Sequence, residues 1–170
     1  MNTLRNNKQR GIGLIEILIT IVLLSLGFLA AARMQVEGMR FSQSAYHQSQ
    51  AYFLASDMIN RMRTNTDGVS NGDYDNKSTS PTAQDPLCGA QACSPSQIAL
   101  QDLYEWSGYF HPRNNQTDFV PALPSSDTIS AYAKVEPVND DIFLVRLVWA
   151  EIVKGEMSEE SLTVNFALEQ

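Results

Sequence analysis

Residues 12–32 decide the fold, reading IGLIEILITIVLLSLGFLAAA with one ionisable side chain, that of Glu16. As an α-helix this stretch would rise about 32 Å, close to the roughly 30 Å hydrocarbon thickness of a bilayer. Residues 1–11 contain Arg5, Lys8 and Arg10 and no acid. This bias favours a cytoplasmic N-terminus, which places the rest of the chain on the far side of the membrane.

Glu16 argues against two simpler interpretations of the apolar run. A cleaved secretory signal peptide would explain the basic residues and Ala30-Ala31-Ala32, but its apolar region usually spans only about 7–15 residues. A plain membrane anchor leaves a carboxylate in an apolar span unexplained, although an unpaired one costs several kcal/mol. Glu16 is therefore a candidate functional residue.

The junction between the basic and apolar segments, KQRGIGLIE over residues 8–16, resembles the processing site of type IV prepilins. The resemblance implies that residues 1–11 are a leader peptide, cut by a prepilin peptidase between Gly11 and Ile12. It also implies methylation of the new α-amino group of Ile12. In an apolar environment that amine and Glu16 should neutralise each other, which gives Glu16 a role in setting the register of packed helices. Ile12 and Gly13 depart from the usual Phe and Thr or Ser.

Helix-compatible sequence continues beyond the apolar run, since the first proline is Pro81. We expect one helix about 78 Å long over residues 12–63, with a transmembrane and filament-core half (12–32) and an amphipathic half (33–63). Gly27 and Gly38 are the positions where we expect it to bend. The amphipathic half should cover a core with an apolar stripe: Phe41, Ala45, Tyr52, Leu54, Ala55, Met58, Ile59 and Met62.

The end of this helix is similar to that of PilV-type minor pilins. The similarity rests on FSQSAY at 41–46 and DMINRMRTN at 57–65, and on a later segment with ACSP at 92–95, Asp102-Leu103 and Glu105-Trp106. It implies the type IV pilin fold, in which a long N-terminal α-helix packs on a small antiparallel β-sheet. Major pilins and most secretion pseudopilins do not combine these features.

Residues 64–170 are expected to form the periplasmic globular domain. Residues 64–92 are rich in turn-forming residues and predict an ordered surface connection. Cys88 and Cys93, the only cysteines, have no nearby histidine to complete a metal site. In an oxidising compartment they should form a disulfide.

The rest of the domain predicts a short helix and an antiparallel meander. Ser94-Pro95-Ser96-Gln97 fits a capping box that starts a helix over 95–110. Alternating apolar residues then predict strands at about 128–136, 142–152 and 161–168. The fold class is therefore α+β, with the sheet packed on the amphipathic half of the long helix.

The composition excludes several classes of function. The 170 residues carry a net charge of −7, and residues 64–170 alone hold 16 acidic and 5 basic residues. This acidic balance argues against nucleic acid as the primary ligand. No nucleophile elbow, phosphate-binding glycine loop or metal-ligand spacing occurs, so we expect no enzyme, no cofactor and no metal site.

The combined expectation is a PilV-type minor pilin, a structural subunit that primes pilus assembly and displays the tip. The resemblance implies an inner-membrane precursor with a periplasmic domain and, after assembly, a pilus at the cell surface. Its partners would be other minor pilins, the major pilin, the assembly platform, the prepilin peptidase and a PilY-type tip adhesin. The alternatives are a minor pseudopilin of type II secretion and a membrane-anchored periplasmic binding domain.

Overall fold

The computed structural model describes residues 13–89, 92–113, 116–139, 141–153 and 155–167. The elements are, in chain order, α1 (Leu14–Thr64), α2 (Thr66–Ser70), α3 (Pro95–Ser107), β1 (Tyr132–Pro137), β2 (Ile142–Val153) and β3 (Glu156–Ala167). The chain divides within α1 into two compact units, the first ending at Gln43 and the second beginning at Ser44. The predicted α+β class, with a long N-terminal helix, a short helix and a small antiparallel sheet, is confirmed.

In the first unit, α1 continues without interruption through Gly27 and Gly38, the two positions where bends were predicted. A Cβ atom at either glycine would meet nothing within 4 Å. Neither position therefore requires glycine for packing within this chain.

In the second unit, α1 buries one apolar face: Ala51, Leu54, Ala55, Met58, Ile59 and Met62. The predicted stripe is correct from Leu54 onward and wrong for Phe41, Ala45 and Tyr52, which are exposed. Successive residues advance about 100° around a helix, so Ala45 and Tyr52 lie about a quarter-turn or more from the centre of the buried face. Phe41 belongs to the first unit.

The predicted capping box at the start of α3 is confirmed. The Ser94 side chain accepts a hydrogen bond from the Gln97 backbone N–H at 3.3 Å, and Gln97 Oε1 accepts one from the Ser94 N–H at 2.9 Å. Pro95 occupies the first helical position, where its missing N–H costs nothing. The buried face consists of Ala99, Leu103 and Trp106.

The predicted end of this helix at residue 110 is wrong, because α3 ends at Ser107 with Gly108 as its C-cap. Arg113 Nη2 donates to the carbonyl oxygens of Tyr104, at 2.7 Å, and Glu105. The guanidinium lies so close to Gly108 that a Cβ there would collide with it. The Arg113 side chain, from beyond the helix, thus bonds to the last carbonyl oxygens of α3, and the helix ends before Pro112.

The sheet is an antiparallel meander in the order β1-β2-β3, as predicted. Val135, Val145 and Val164 are aligned across the three strands. The rows predicted to face inward are buried on β1 and β2, and on β3 they are partly buried except for buried Phe166. Leu168, the last residue of the third predicted row, lies outside the described residues.

Two strand boundaries differ from those predicted. β1 begins at Tyr132 because residues 125–131 form a loop, in which the Ala131 N–H donates to Ser125 Oγ at 2.8 Å. β3 begins at Glu156, five residues before the predicted start, because its polar first half pairs with Trp149–Val153 of β2. Gly155, at φ +90°, closes this hairpin.

Residues 64–92 contribute more to the core than the predicted surface connection. They include α2, with buried Val69, and Tyr74, whose side chain is fully buried. Ser78 forms a β-bridge with Lys134 on the outer side of β1. The core therefore lies among the second half of α1, the 66–79 segment, α3 and the inner face of the sheet.

Candidate functional site

The first candidate site is the apolar surface of α1 in the first unit. Every large apolar side chain from Leu14 to Leu29 is exposed, with values from 47% at Ile17 to 82% at Leu14. α1 is long and apolar enough to cross a membrane, as judged by length and composition. An apolar surface of this size in a single chain marks a region that lipid or other proteins cover.

The polar side chains of this segment suit an apolar environment, because their hydroxyl groups bond within the helix. Thr20 Oγ1 lies 2.9 Å from the Glu16 carbonyl oxygen and 2.8 Å from that of Ile17. Ser25 Oγ donates to the Ile21 carbonyl oxygen at 2.7 Å. Neither hydroxyl therefore needs water, as a lipid or filament interior requires.

A shallow apolar groove follows one side of the same segment. It is lined by Thr20, Leu23, Leu24, Gly27, Phe28 and Ala31. Gly27 leaves open space in this groove, since no other part of the described structure lies within 4 Å of where its Cβ would be. Small residues at such positions allow a neighbouring helix to approach closely.

Glu16 lies in the first turn of α1 and is exposed. Its N–H donates to the Gly13 carbonyl oxygen at 2.8 Å. Among the described residues its carboxylate has no ion-pair partner. The predicted cleavage and methylation positions, Gly11 and Ile12, lie outside the described residues.

The second candidate site is a polar cluster in the second unit, centred on Arg61 of α1. Its Nε atom lies 3.0 Å from Asp57 Oδ2, one helical turn earlier. Its Nη1 atom lies 3.3 Å from Asp102 Oδ1 and 2.6 Å from Glu105 Oε2, both on α3. One guanidinium thus joins three carboxylates and connects α1 to α3.

Tyr74 and Asn65 extend this cluster into the core. The Tyr74 hydroxyl donates to Asp102 Oδ2 at 2.5 Å and accepts from Asn65 Nδ2 at 3.0 Å. Asn65 Nδ2 also donates to the Pro95 carbonyl oxygen at 2.8 Å, and Asn65 Oδ1 caps α2 by accepting the Gly68 N–H. Nearby, Trp106 Nε1 donates to the Leu54 carbonyl oxygen at 3.1 Å.

The electrostatics of the cluster follow from its burial. Burial opposes the charge on Arg61, but Glu105 and Asp57 outweigh that effect and raise its pKa. Burial raises the pKa of Asp102 against the opposing hydrogen bonds from Tyr74 and Arg61. The bond from Arg61 lowers the pKa of Glu105, and burial together with Asp102 raises that of Tyr74. The arrangement connects α1 to α3, and each charged or phenolic group in it is hydrogen-bonded to another side chain of the cluster.

The predicted disulfide between Cys88 and Cys93 is present, with Cα atoms 5.5 Å apart. It closes a short loop directly before the Ser94 cap of α3. The described residues contain no group of three or more His, Cys, Asp or Glu side chains placed to hold a metal ion.

Apart from Tyr74, the residues of the Arg61 cluster were present in the sequence motifs, but their convergence was not predicted. Asp57, Arg61 and Asn65 come from the 57–65 motif, and Asp102 and Glu105 from the later one. They are 41 and 44 residues from Arg61. The only available signal was the shared resemblance of both segments to one family.

Two family models match the chain. Residues 33–104 match a family described as Type IV pilin Tt1218, and residues 6–32 match the prokaryotic N-terminal methylation motif. Searches of curated proteins and of solved structures gave no match. The adjoining matches and the fold support a type IV pilin generally, a class of structural subunits that assemble with other pilins after prepilin processing.

Proposed function

We propose that this type IV pilin-like chain is a minor pilin of a type IV pilus, which co-assembles with other minor pilins to prime pilus assembly and display the tip. The observation that carries the proposal is the methylation motif at residues 6–32, joined to a helix surface whose large apolar side chains are all exposed. Such a surface needs lipid around it before assembly and apolar helices around it afterwards.

The proposal implies a defined maturation. A prepilin peptidase cuts between Gly11 and Ile12 and methylates the amino group of Ile12. The precursor spans the inner membrane with residues 64–170 in the periplasm, and the mature subunit enters a pilus at the cell surface. Its partners are other minor pilins, the major pilin, the assembly platform and a PilY-type tip adhesin.

Glu16 has a specific role in this scheme. A carboxylate carried into a filament core needs a compensating positive charge, because burial without one costs several kcal/mol. The α-amino group of Ile12 on the same or a neighbouring subunit supplies that charge. Pairing is possible in only one axial position, so it selects the register of the helices.

The PilV-type assignment is supported by the roles of the residues that carry the resemblance. Arg61, held by Asp57 of the same helix, bonds to Asp102 and Glu105 and so joins α1 to α3. Asn65, directly after α1, bonds to the Pro95 carbonyl oxygen at the start of α3. Because these shared residues make contacts between helices, they indicate that the family has the same arrangement of α1 and α3. This supports the subgroup more than a match confined to the N-terminal motif would.

Mass spectrometry and assembly assays test the proposal. The purified protein should lack residues 1–11 and carry one methyl group on Ile12. Glu16→Ala should leave cleavage unchanged and reduce recovery in sheared pili at least tenfold. The matched control is Glu37→Ala, an exposed glutamate of the same helix whose nearest cation is Arg40 at 3.9 Å, and it should assemble normally.

Two outcomes would contradict the proposal in different ways. An intact leader would favour the membrane-anchored binding domain and remove the pilin assignment. Normal incorporation of Glu16→Ala would remove only the role in register. A deletion strain separates the pseudopilin alternative, because loss of twitching with secretion intact indicates a pilus, and the reverse indicates type II secretion.

A further inference from the structure

The two edges of the sheet differ in how their backbone groups are satisfied. Along the outer side of β1, the Thr79 N–H donates to the Ala133 carbonyl oxygen at 2.9 Å and the Val135 N–H donates to the Lys77 carbonyl oxygen at 2.8 Å. β3 has 12 residues and, in the part of the chain that the structure describes, pairs only with β2. Among the described residues its other edge has no β-partner, so a row of N–H and C=O groups stays free to pair.

The hairpin of β2 and β3 also extends beyond the third strand. β1 reaches only Val148 of β2, whereas β2 and β3 remain paired as far as Val153 and Glu156. The Pro124 carbonyl oxygen accepts the Ala150 N–H at 2.9 Å and closes the space next to β1. Beyond it, three apolar side chains are 40–53% exposed: Ile152, Val153 and Met157.

This free edge is acidic. Glu156, Glu159 and Glu160 lie on β3, which contains no basic residue. None of the three forms an ion pair within the described part of the chain. On the neighbouring strands the cations are already engaged, since Lys134 and Arg146 both lie within 4.0 Å of Glu136 carboxylate oxygens.

We propose that the free edge of β3 is a docking site for an extended segment of a partner protein that carries Lys or Arg residues. The segment adds a fourth antiparallel or parallel strand, with its backbone bonded to β3. Its cations lie beside Glu156 and Glu160 on one face of the strand, or beside Glu159 on the other. A second copy of this chain is a poor occupant, because antiparallel pairing centred on Ser158 sets Glu156 of one copy opposite Glu160 of the other. The site belongs to the second unit and does not depend on leader processing.

The test uses the full chain in an uncharged detergent and a short synthetic peptide in which lysine alternates with valine or threonine. Binding should protect backbone amides of residues 156–167 from hydrogen exchange. The same peptide methylated on every backbone nitrogen keeps its charge but loses the N–H donors on both of its edges, so it should give no protection. An alternating glutamate peptide should not bind.

Matched variants separate the local charges from the net charge. Glu156→Gln with Glu160→Gln, two glutamates on the same face of β3, should weaken binding of the lysine peptide about fivefold, the effect expected from two cross-strand charge pairs. Asp118→Asn with Asp127→Asn makes the same change in net charge at exposed loop positions and should stay within about twofold of the wild type.

Three results would overturn the proposal. The first is binding of the lysine peptide without protection of β3. The second is equal protection by the methylated or the glutamate peptide, which would show that strand pairing or charge is irrelevant. The third is protection of β3 that grows with protein concentration in the absence of peptide, which would assign the edge to a second copy.

Discussion

The apolar side chains of the two halves of α1 are covered in different ways, although the two halves form one helix. From Leu14 to Leu29 the large apolar residues are exposed, whereas Leu54, Met58 and Met62 are at most 1% exposed in the core of the second unit. The apolar side chains of the first half must therefore be covered by other molecules, whereas those of the second half are covered by the rest of the same chain. Substitutions in the two halves should consequently affect different measurements.

The largest expected effect comes from removing a core side chain that holds the second half. Trp106→Ala deletes a fully buried indole and its hydrogen bond to the Leu54 carbonyl oxygen. We expect a loss of about 3–5 kcal/mol in the free energy of unfolding of the second unit. Denaturant titration followed by near-ultraviolet circular dichroism measures this, with Trp149 as the remaining indole.

Phe28→Ala is the comparison from the first half, because this ring is 74% exposed. It should change the free energy of unfolding by less than about 0.5 kcal/mol and reduce incorporation into pili. Destabilisation of the same size in both variants would contradict the division of α1 into an externally and an internally covered half.

Arg61→Met tests the polar connection between α1 and α3. It leaves Asp57, Asp102 and Glu105 without their shared cation, and we expect a cost of about 2–4 kcal/mol at neutral pH. Without the cation the carboxylates should bind protons more readily in the folded state, so part of the loss should be recovered as pH falls. Arg63→Met, at an exposed position of the same turn, should cost less than about 0.5 kcal/mol.

Tyr74→Phe tests the buried end of the same cluster. It removes the donor to Asp102 Oδ2 and the acceptor for Asn65, which should cost about 1–3 kcal/mol at neutral pH. Because the folded-state pKa of Tyr74 is raised, its contribution is complete below the unfolded value of 10.0 and is lost as pH rises above it. The stability gap between wild type and variant should therefore narrow by up to about 1.4 kcal/mol per pH unit above 10.0. A gap that is constant with pH would contradict the buried, neutral hydroxyl.

The parts of the fold that could be predicted are those set by local chemistry. The apolar run, the Ser94 capping box and the alternating rows of β1 and β2 each depend on residues within a few positions of one another. The disulfide followed from two cysteines in an oxidising compartment. The apolar surface of the first half of α1, one of the two candidate sites, was therefore accessible from sequence.

The remaining features depend on contacts between distant segments. Tyr74 looked like part of a polar turn, but it belongs to the core, where its hydroxyl bonds to Asn65 and to Asp102, 28 residues later. The first half of β3 has no apolar alternation and becomes a strand because apolar β2 residues lie opposite it. Likewise, α3 ends at Ser107 because Arg113 returns to its carbonyls. Periodicity contains no information about such pairings.

Among the variants expected to destabilise the second unit, the smallest loss comes at the start of α3, where the effects of a local cap and of contacts with distant residues can be separated. Ser94→Ala removes the acceptor for the Gln97 N–H and should cost about 1 kcal/mol, the usual value of an N-cap. The Asn65 bond to the Pro95 carbonyl oxygen and the Cys88–Cys93 loop both remain, so the helix should begin at the same residue. Hydrogen exchange at Gln97 and Ile98 measures the change. Fraying confined to this first turn would indicate that the distant contacts fix the position of α3 while the cap adds only stability. Loss of protection along the whole helix would instead indicate that the Ser94 cap is required for α3 to form in this position.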